Sequence, residues 1–263
     1  MFWVMQKNLY AEEAFASLVD QLERQNIDFQ IVNMIPFAHE MEPDINPTGN
    51  VIVMGSTSMK HIAKKKNWNP GYIDDNINYN NLIDNYDNNV FNLDCVIIKF
   101  GDYPLTSKLP QWPRIFVRPV DDGKSFAGQT MTWMELYTWY WELEQIGWED
   151  TSKSTIHKDD YIVIAEAKEI HSEYRFFVVD GKVITGSMYK IGTKVHYSNV
   201  VDQEVYDYAQ KMVDIWCPNQ AFAIDICRAN DRFYVLEINA INSAGFYACD
   251  MGKFVHAIEN MVF

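Results

Sequence analysis

Asp225, Glu237 and Asn239 fall within the run AFAIDICRANDRFYVLEIN, residues 221–239. Both halves of this run alternate apolar and polar residues about the polar stretch Ala229-Asn230-Asp231-Arg232, the pattern of two antiparallel strands joined by a tight turn. The chemistry depends on the register. A loop centred on Asp231 sets Asp225 opposite Glu237, Ile224 opposite Ile238 and Ile226 opposite Leu236, so that each face has one character. A two-residue turn of Asn230-Asp231 alone would set Ile224 against Glu237 and Asp225 against Leu236, so the uniform faces favour the odd-length loop. Facing carboxylates have Cβ atoms ~4.5–5.5 Å apart and repel unless a cation lies between them. With Asn239 on the same face, the hairpin offers two carboxylates and an amide oxygen, the hard donors that magnesium takes. Solvated acids on the open face of an antiparallel sheet would follow the same pattern.

The elements that must hold this hairpin follow from periodicity. From Met1 to about Tyr72, short apolar runs (FWVM, FQIVNMI, VIVMG) alternate with amphipathic ones, including Ala11 to Arg24 and SMKHIAKKK. This is the βαβ pattern of a small parallel sheet. Gly55-Ser56-Thr57-Ser58 sits at a strand end and helix start, where open α/β sheets bind ligands. Residues 74–94 are rich in Asn and Asp and read as an irregular connector with a domain boundary near it. CVIIKF (95–100) and RIFVRP (114–119) read as strands. Thr132 and Glu135 fit a capping box that opens a helix bearing Leu136, Tyr137, Tyr140, Trp141 and Glu144. YIVIAEAKEI and EYRFFVVDGKVITGSMYK then alternate as strands, a helix runs from Asp202 to Trp216, and another from Asp250 to about Met261. The Ser243-Ala244-Gly245 turn after Asn239 offers a hydroxyl and backbone donors near a helix start, suited to binding a carboxylate. Gly245 could equally serve only to turn the chain with φ > 0.

The 22 Lys plus Arg against 36 Asp plus Glu give a formal net charge of −14, which disfavours bulk nucleic-acid binding. The chain is 48% hydrophobic and 14% aromatic, as a globular protein requires. Cys95, Cys217, Cys227 and Cys249 form no CxxC pair and read as reduced core thiols. No charged leader precedes an apolar run, and no stretch approaches the ~20 apolar residues of a membrane span, so a cytoplasmic protein without membrane contact is expected. A homodimer is left open.

In this order of residues the chain resembles the ATP-grasp superfamily, and within it the clade whose phosphate-binding lysine has become arginine, often phage-borne. The resemblance implies an α+β/α/β ATP-grasp fold: an N-terminal α/β domain, 1–92, before two α+β subdomains, 93–160 and 161–263, that clasp ATP. Phage origin would place the protein in the host cytoplasm. Asp225, Glu237 and Asn239 match the hairpin that holds two Mg2+ ions on the ATP phosphates. Arg118 matches the phosphate-binding lysine, and Lys124, in DDGKSFAG, matches a cation of the loop that closes over the phosphates. Glu166, Ala167 and Lys168 match the adenine-reading hinge, Glu173 the ribose-binding acid, and Lys190 a further phosphate-binding lysine. Many relatives carry an arginine two residues before the metal aspartate, where this chain has Ala223; Arg175 is the expected replacement. The implied activity is ADP-forming carboxylate–amine ligation through an acyl phosphate, on small-molecule or peptide substrates. Catalysis would fall to Arg175, Arg118 and Lys190. A nucleotide-binding module without turnover and a kinase are the alternatives.

Overall fold

The first apolar runs of the chain form one sheet in the computed structural model, which describes residues 1–7, 13–35, 38–75, 77–105, 109–121, 125–148 and 155–262. Strand β1 (Phe2–Gln6) is followed by α1 (Glu13–Arg24), β2 (Phe29–Ile35), β3 (Glu40–Glu42), β4 (Val51–Met54), α2 (Thr57–Lys65) and β5 (Pro70–Gly71). The expected start of α1 at Ala11 lies outside the described residues. Strand order is β3-β2-β1-β4-β5, with β3 antiparallel and the other pairings parallel. Parallel neighbours need crossovers, which α1 and α2 supply between β1 and β2 and between β4 and β5. Continuous apolar runs suit strands covered on both faces, and β4 is buried at every residue.

The Asn-rich stretch 74–94, expected to be irregular, contains helix α3 (Tyr79–Tyr86). Asn78 caps it by accepting a hydrogen bond from the Asn81 N–H, and Tyr79, Leu82 and Tyr86 form a buried stripe at helical spacing. Three apolar positions sufficed for a short helix that composition alone concealed. Strands β6 (Val96–Lys99), β7 (Ile115–Pro119) and β8 (Gln129–Met131), helix α4 (Trp133–Ile146) and strand β9 (Tyr161–Glu166) follow. The strands form an antiparallel sheet in the order β6-β9-β7-β8. Thr132 and Glu135 make the expected capping box on α4, and Leu136, Tyr140 and Leu143 are buried.

The rest of the chain comprises β10 (Ser172–Val179), β11 (Lys182–Ile191), β12 (Lys194–Ser198), α5 (Gln203–Ile215), β13 (Ala221–Ala229), β14 (Arg232–Ala240) and α6 (Met251–Glu259). The five strands form a second antiparallel sheet in the order β12-β11-β10-β13-β14. Asp250 caps α6, whose Phe254, Val255 and Ile258 are buried. Cys227 and Cys249 are buried free thiols as expected, whereas Cys217 is exposed. Among the described residues no helix is long and apolar enough to cross a membrane.

The chain folds as two compact units, one of Asn78–Glu169 and a larger one that joins Met1–Ile77 to Ile170–Phe263. One apolar core unites the segments of the larger unit: Trp3, Leu18, Phe177, Phe246 and Phe254 are all fully buried in it. Phe254 meets Trp3 and Phe177 edge-on, at ring-centroid distances of 6.2 and 4.9 Å. A polar clamp reinforces this core. The fully buried Asn242 donates from Nδ2 to the carbonyls of Val53 (2.6 Å) and Gly71 (3.3 Å), and its Oδ1 accepts from the Ile73 N–H (2.8 Å). Its carbonyl also accepts from the Gly55 N–H at 2.8 Å. Asn242→Ala strands several buried polar groups, each worth roughly 1–3 kcal/mol, and should lower stability by about 2–4 kcal/mol in urea denaturation. A loss below about 1 kcal/mol would show the clamp to be dispensable.

Candidate functional site

In the β13–β14 hairpin Asp225 does face Glu237, and Ile224 faces Ile238, as the patterning required. The turn that achieves this is not the odd-length loop. Ala229 pairs with Arg232, leaving Asn230 and Asp231 as a two-residue turn with φ of 49° and 57°, values that match the twist of a hairpin. Register is restored by a β-bulge: Ile226 pairs with Val235 and Asp225 with Glu237, so Leu236 is the extra residue. Without the bulge that turn would have set Asp225 against Leu236.

The cation that the acid pair demands is Arg175. It pairs directly with Asp225 across β10 and β13, donating from Nε to Oδ1 and from Nη2 to Oδ2, both at 2.7 Å. The same Nη2 is 3.7 Å from Glu237 Oε1, which also accepts from Asn239 Nδ2 at 3.0 Å. Arg175 is 6% exposed and Asp225 1%, so this is a buried, two-pronged ion pair. Burial pushes the Asp225 carboxyl up to about 6, against the downward pull of Arg175 and with the help of Glu237. Burial also opposes the Arg175 charge, but Asp225 outweighs it and holds the guanidinium protonated. Ala223 is fully buried in the core with Phe177 and Ala221, so this position is packed as apolar interior.

Three further groups converge on this face. Glu173 pairs with Lys190 in register and accepts from its Nζ at 2.6 Å, so the acid expected at ribose and the lysine expected at phosphate are partners of each other. A second bulge, at Tyr189, lies between the pairs Glu173/Lys190 and Tyr174/Met188. It lets two consecutive side chains reach the same place: the Tyr189 hydroxyl donates to Glu173 Oε2 at 2.8 Å and lies 3.4 Å from Asp225 Oδ2. Burial and the nearby carboxylates raise the Tyr189 pKa, keeping the phenol a donor. The Tyr189 ring stacks on Tyr247 at 4.7 Å, and the Arg175 guanidinium lies 5.8 and 4.9 Å from the two ring centroids. Neither tyrosine is legible as a site residue, because strict alternation turns Tyr189 away from Lys190.

In the turn after Asn239, Ala244 is buried in the core, Ser243 and Gly245 are half-buried, and the Gly245 carbonyl accepts from Arg175 Nη1 at 3.4 Å. The positive φ of this turn is taken by Tyr247 (50°), not by Gly245. Gly55 and Ser56 lie at the end of β4 and the cap of α2, tied to this turn through Asn242 and to Gln6, whose Oε1 accepts from the Ser56 N–H and hydroxyl.

The smaller unit carries the other expected residues. Arg118 on β7 lies over the Tyr79 ring at 5.2 Å and donates from Nε to the Pro119 carbonyl at 3.3 Å. Glu166 ends β9, and the Ala167 N–H donates to the Arg114 carbonyl. Lys168 is bound by Asp94 (2.5 Å) and the Phe91 carbonyl (3.2 Å), contacts within its own unit that anchor this segment. Lys124 lies outside the described residues.

Among the described residues no three His, Cys, Asp or Glu side chains gather as a metal site would. The donor set of the hairpin nevertheless suits magnesium, since two carboxylates and an amide converge where a cation, the Arg175 guanidinium, already sits.

A family model described as an ATP-grasp domain matches residues 98–257. The chain belongs to the ATP-grasp family. Solved ATP-grasp structures share its fold over nearly the whole length at low identity. The D-cycloserine synthetase DcsG has a TM-score of 0.63 at 10% identity, covering 98% of both chains. The D-alanine–D-alanine ligase from Bacillus anthracis complexed with ATP has a TM-score of 0.57 at 12% identity, covering 98% of this chain and 96% of the other. The ATP-grasp ligase PsnB, complexed with precursor peptide PsnA2 and AMPPNP, has a TM-score of 0.53 at 12% identity, over 98% and 96%. None of the curated proteins matches the sequence.

The ion pair at the centre of this cluster yields a double-mutant cycle. Arg175→Met or Asp225→Leu alone leaves a buried charge without its partner and should cost about 3–5 kcal/mol in chemical denaturation. The double variant should recover most of that loss. Additive losses in the double variant would show that the two side chains are not energetically coupled.

Proposed function

We propose that this ATP-grasp protein is an ATP-dependent carboxylate–amine ligase. A substrate carboxylate oxygen attacks the γ-phosphorus, the bond to the β-phosphate oxygen breaks, and ADP leaves. The amine nitrogen then attacks the acyl carbon of the resulting acyl phosphate, phosphate departs with the C–O electron pair, and loss of the ammonium proton gives the amide. The observation that carries the reading is the facing pair Asp225 and Glu237, with Asn239 bound to Glu237 and Arg175 to Asp225, in a chain of this family.

Asp225, Glu237 and Asn239 are the residues that would hold magnesium, which when bound neutralises phosphate charge. Arg175, Arg118, Lys124 and Lys190 would supply cations to the phosphates, and Glu166 to Lys168 and Glu173 would bind the nucleoside. Arginine at 118 keeps the charge of a lysine and adds a planar fork for phosphate oxygens. Ser243, Ala244 and Gly245 would orient the substrate carboxylate. In this reading residues 1–92 precede an ATP-grasp part, 93–263, with halves 93–160 and 161–263. The acid and amine would be small molecules or peptide groups; the similar structures include a ligase of D-alanine and one complexed with a precursor peptide.

A second reading, a nucleotide-binding module without turnover, is favoured by one observation: both oxygens of Asp225 are engaged by Arg175. Incubation with magnesium ATP and pools of amino acids, peptides and polyamines separates the two. Ligation predicts ADP release that rises only when an acid and an amine are present together; nucleotide binding with no turnover in any pool supports the module. ADP release with a hydroxyl compound alone would indicate a kinase. Asp225→Asn and Glu237→Gln should each abolish ADP release, and full activity in both would overturn the metal assignment.

A further inference from the structure

The Arg175 fork takes both oxygens of Asp225, at 2.7 Å each, and its Nη2 lies within 3.7 Å of the Glu237 carboxylate. A metal ion on Asp225 needs one of those oxygens, and a divalent cation beside a buried guanidinium would be repelled with little water to screen it. Resting on the ATP-site reading, we propose that Arg175 is an exchangeable counterion: it occupies the acid pair until nucleotide phosphate draws it off, so that metal binds Asp225 only together with nucleotide. Its remaining contacts suit such a swing. The Gly245 carbonyl holds Nη1 at 3.4 Å, and the faces of Tyr189 and Tyr247 favour a cation without fixing its rotation. Tyr189, bound to Glu173 and close to Asp225, keeps a donor on the acid pair when the guanidinium leaves. Arg175 thus acts twice, first as the substitute for the metal and then as a cation for the transferring phosphoryl group.

The test reads metal occupancy rather than turnover. Free Mn2+ is followed by electron paramagnetic resonance as it is titrated with wild-type protein, Arg175→Gln and Arg175→Lys, each with and without a non-hydrolysable ATP analogue. Once the Mn2+ that the analogue holds in solution is subtracted in a protein-free titration, wild type should bind Mn2+ about tenfold or more tightly with the analogue than without it, within the usual range of coupling between two ligands. Arg175→Gln should bind Mn2+ about tenfold more tightly than wild type when nucleotide is absent, with the nucleotide dependence reduced by about the same factor. Arg175→Lys, which keeps the charge but not the fork, should fall between them. Structural damage would weaken metal binding, so tighter binding is specific to the exchange. Equal affinity of Arg175→Gln and wild type, or nucleotide-independent binding by wild type, overturns the exchange alone. Should Arg175→Gln fail to fold, Arg175→Lys, compared with wild type in the absence of the analogue, still decides: unchanged affinity overturns the exchange. Failure of wild type to bind the analogue with Mn2+ at all overturns the ATP-site reading as well.

Discussion

Two carboxylates that face each other across adjacent strands repel, and burial of one of them forbids water from relieving the repulsion. The larger unit therefore has to bring a fixed cation to Asp225 and Glu237. Arg175 meets that need from β10, the one strand that borders β13 on its other side, and pairs with Asp225 in register. A lysine could satisfy the charge but not both oxygens, whereas a guanidinium fork matches a carboxylate in its plane. Tyr189, Tyr247 and the Gly245 carbonyl then surround the guanidinium. The surrounding sheet can be read as the framework that keeps these groups at hydrogen-bonding distance.

Two irregularities make the arrangement. The bulge at Leu236 reconciles a tight turn, whose twist suits the hairpin, with a register that sets acid against acid. The bulge at Tyr189 turns two consecutive side chains toward one site, which a regular strand cannot do. Beyond the acid pair the same strands pass into apolar packing: Phe177 and Ala223 belong to the core that also holds Trp3 and Phe254. The strands that carry the charge thus also anchor the first sheet and α6, and Ala223 marks where one role gives way to the other.

Much of this was legible from residues alone. Alternation gave the strands that become β9 to β11, β13 and β14, the Thr132–Glu135 box marked the start of α4, and the apolar faces of the hairpin demanded that Asp225 meet Glu237. The means by which they meet was not legible, because a bulge adds one residue without changing composition, and an even turn plus a bulge mimics an odd loop. For the same reason strict alternation would turn Tyr189 away from Lys190. Helix α3 was hidden because Asn and Asp dominate its polar positions, leaving Tyr79, Leu82 and Tyr86 as its main apolar signal. The pairing of Glu173 with Lys190 was likewise unreadable, since separate motifs do not announce that they oppose each other.

The larger unit draws on both sides of the smaller one in sequence: Met1–Ile77 precedes Asn78–Glu169, and Ile170–Phe263 follows it. During synthesis the first sheet therefore leaves the ribosome without its partners. The residues that cover Trp3 and Met54, among them Phe177, Phe246 and Phe254, and the amide of Asn242 that ties Val53, Gly71 and Ile73 together, arrive only after the smaller unit has been made. The smaller unit, a contiguous segment with its own core, can complete its packing earlier. Asp225 and Glu237 are thus assembled late, when the fold around them is already closing, and a chain cut short before Glu237 carries no competent acid pair.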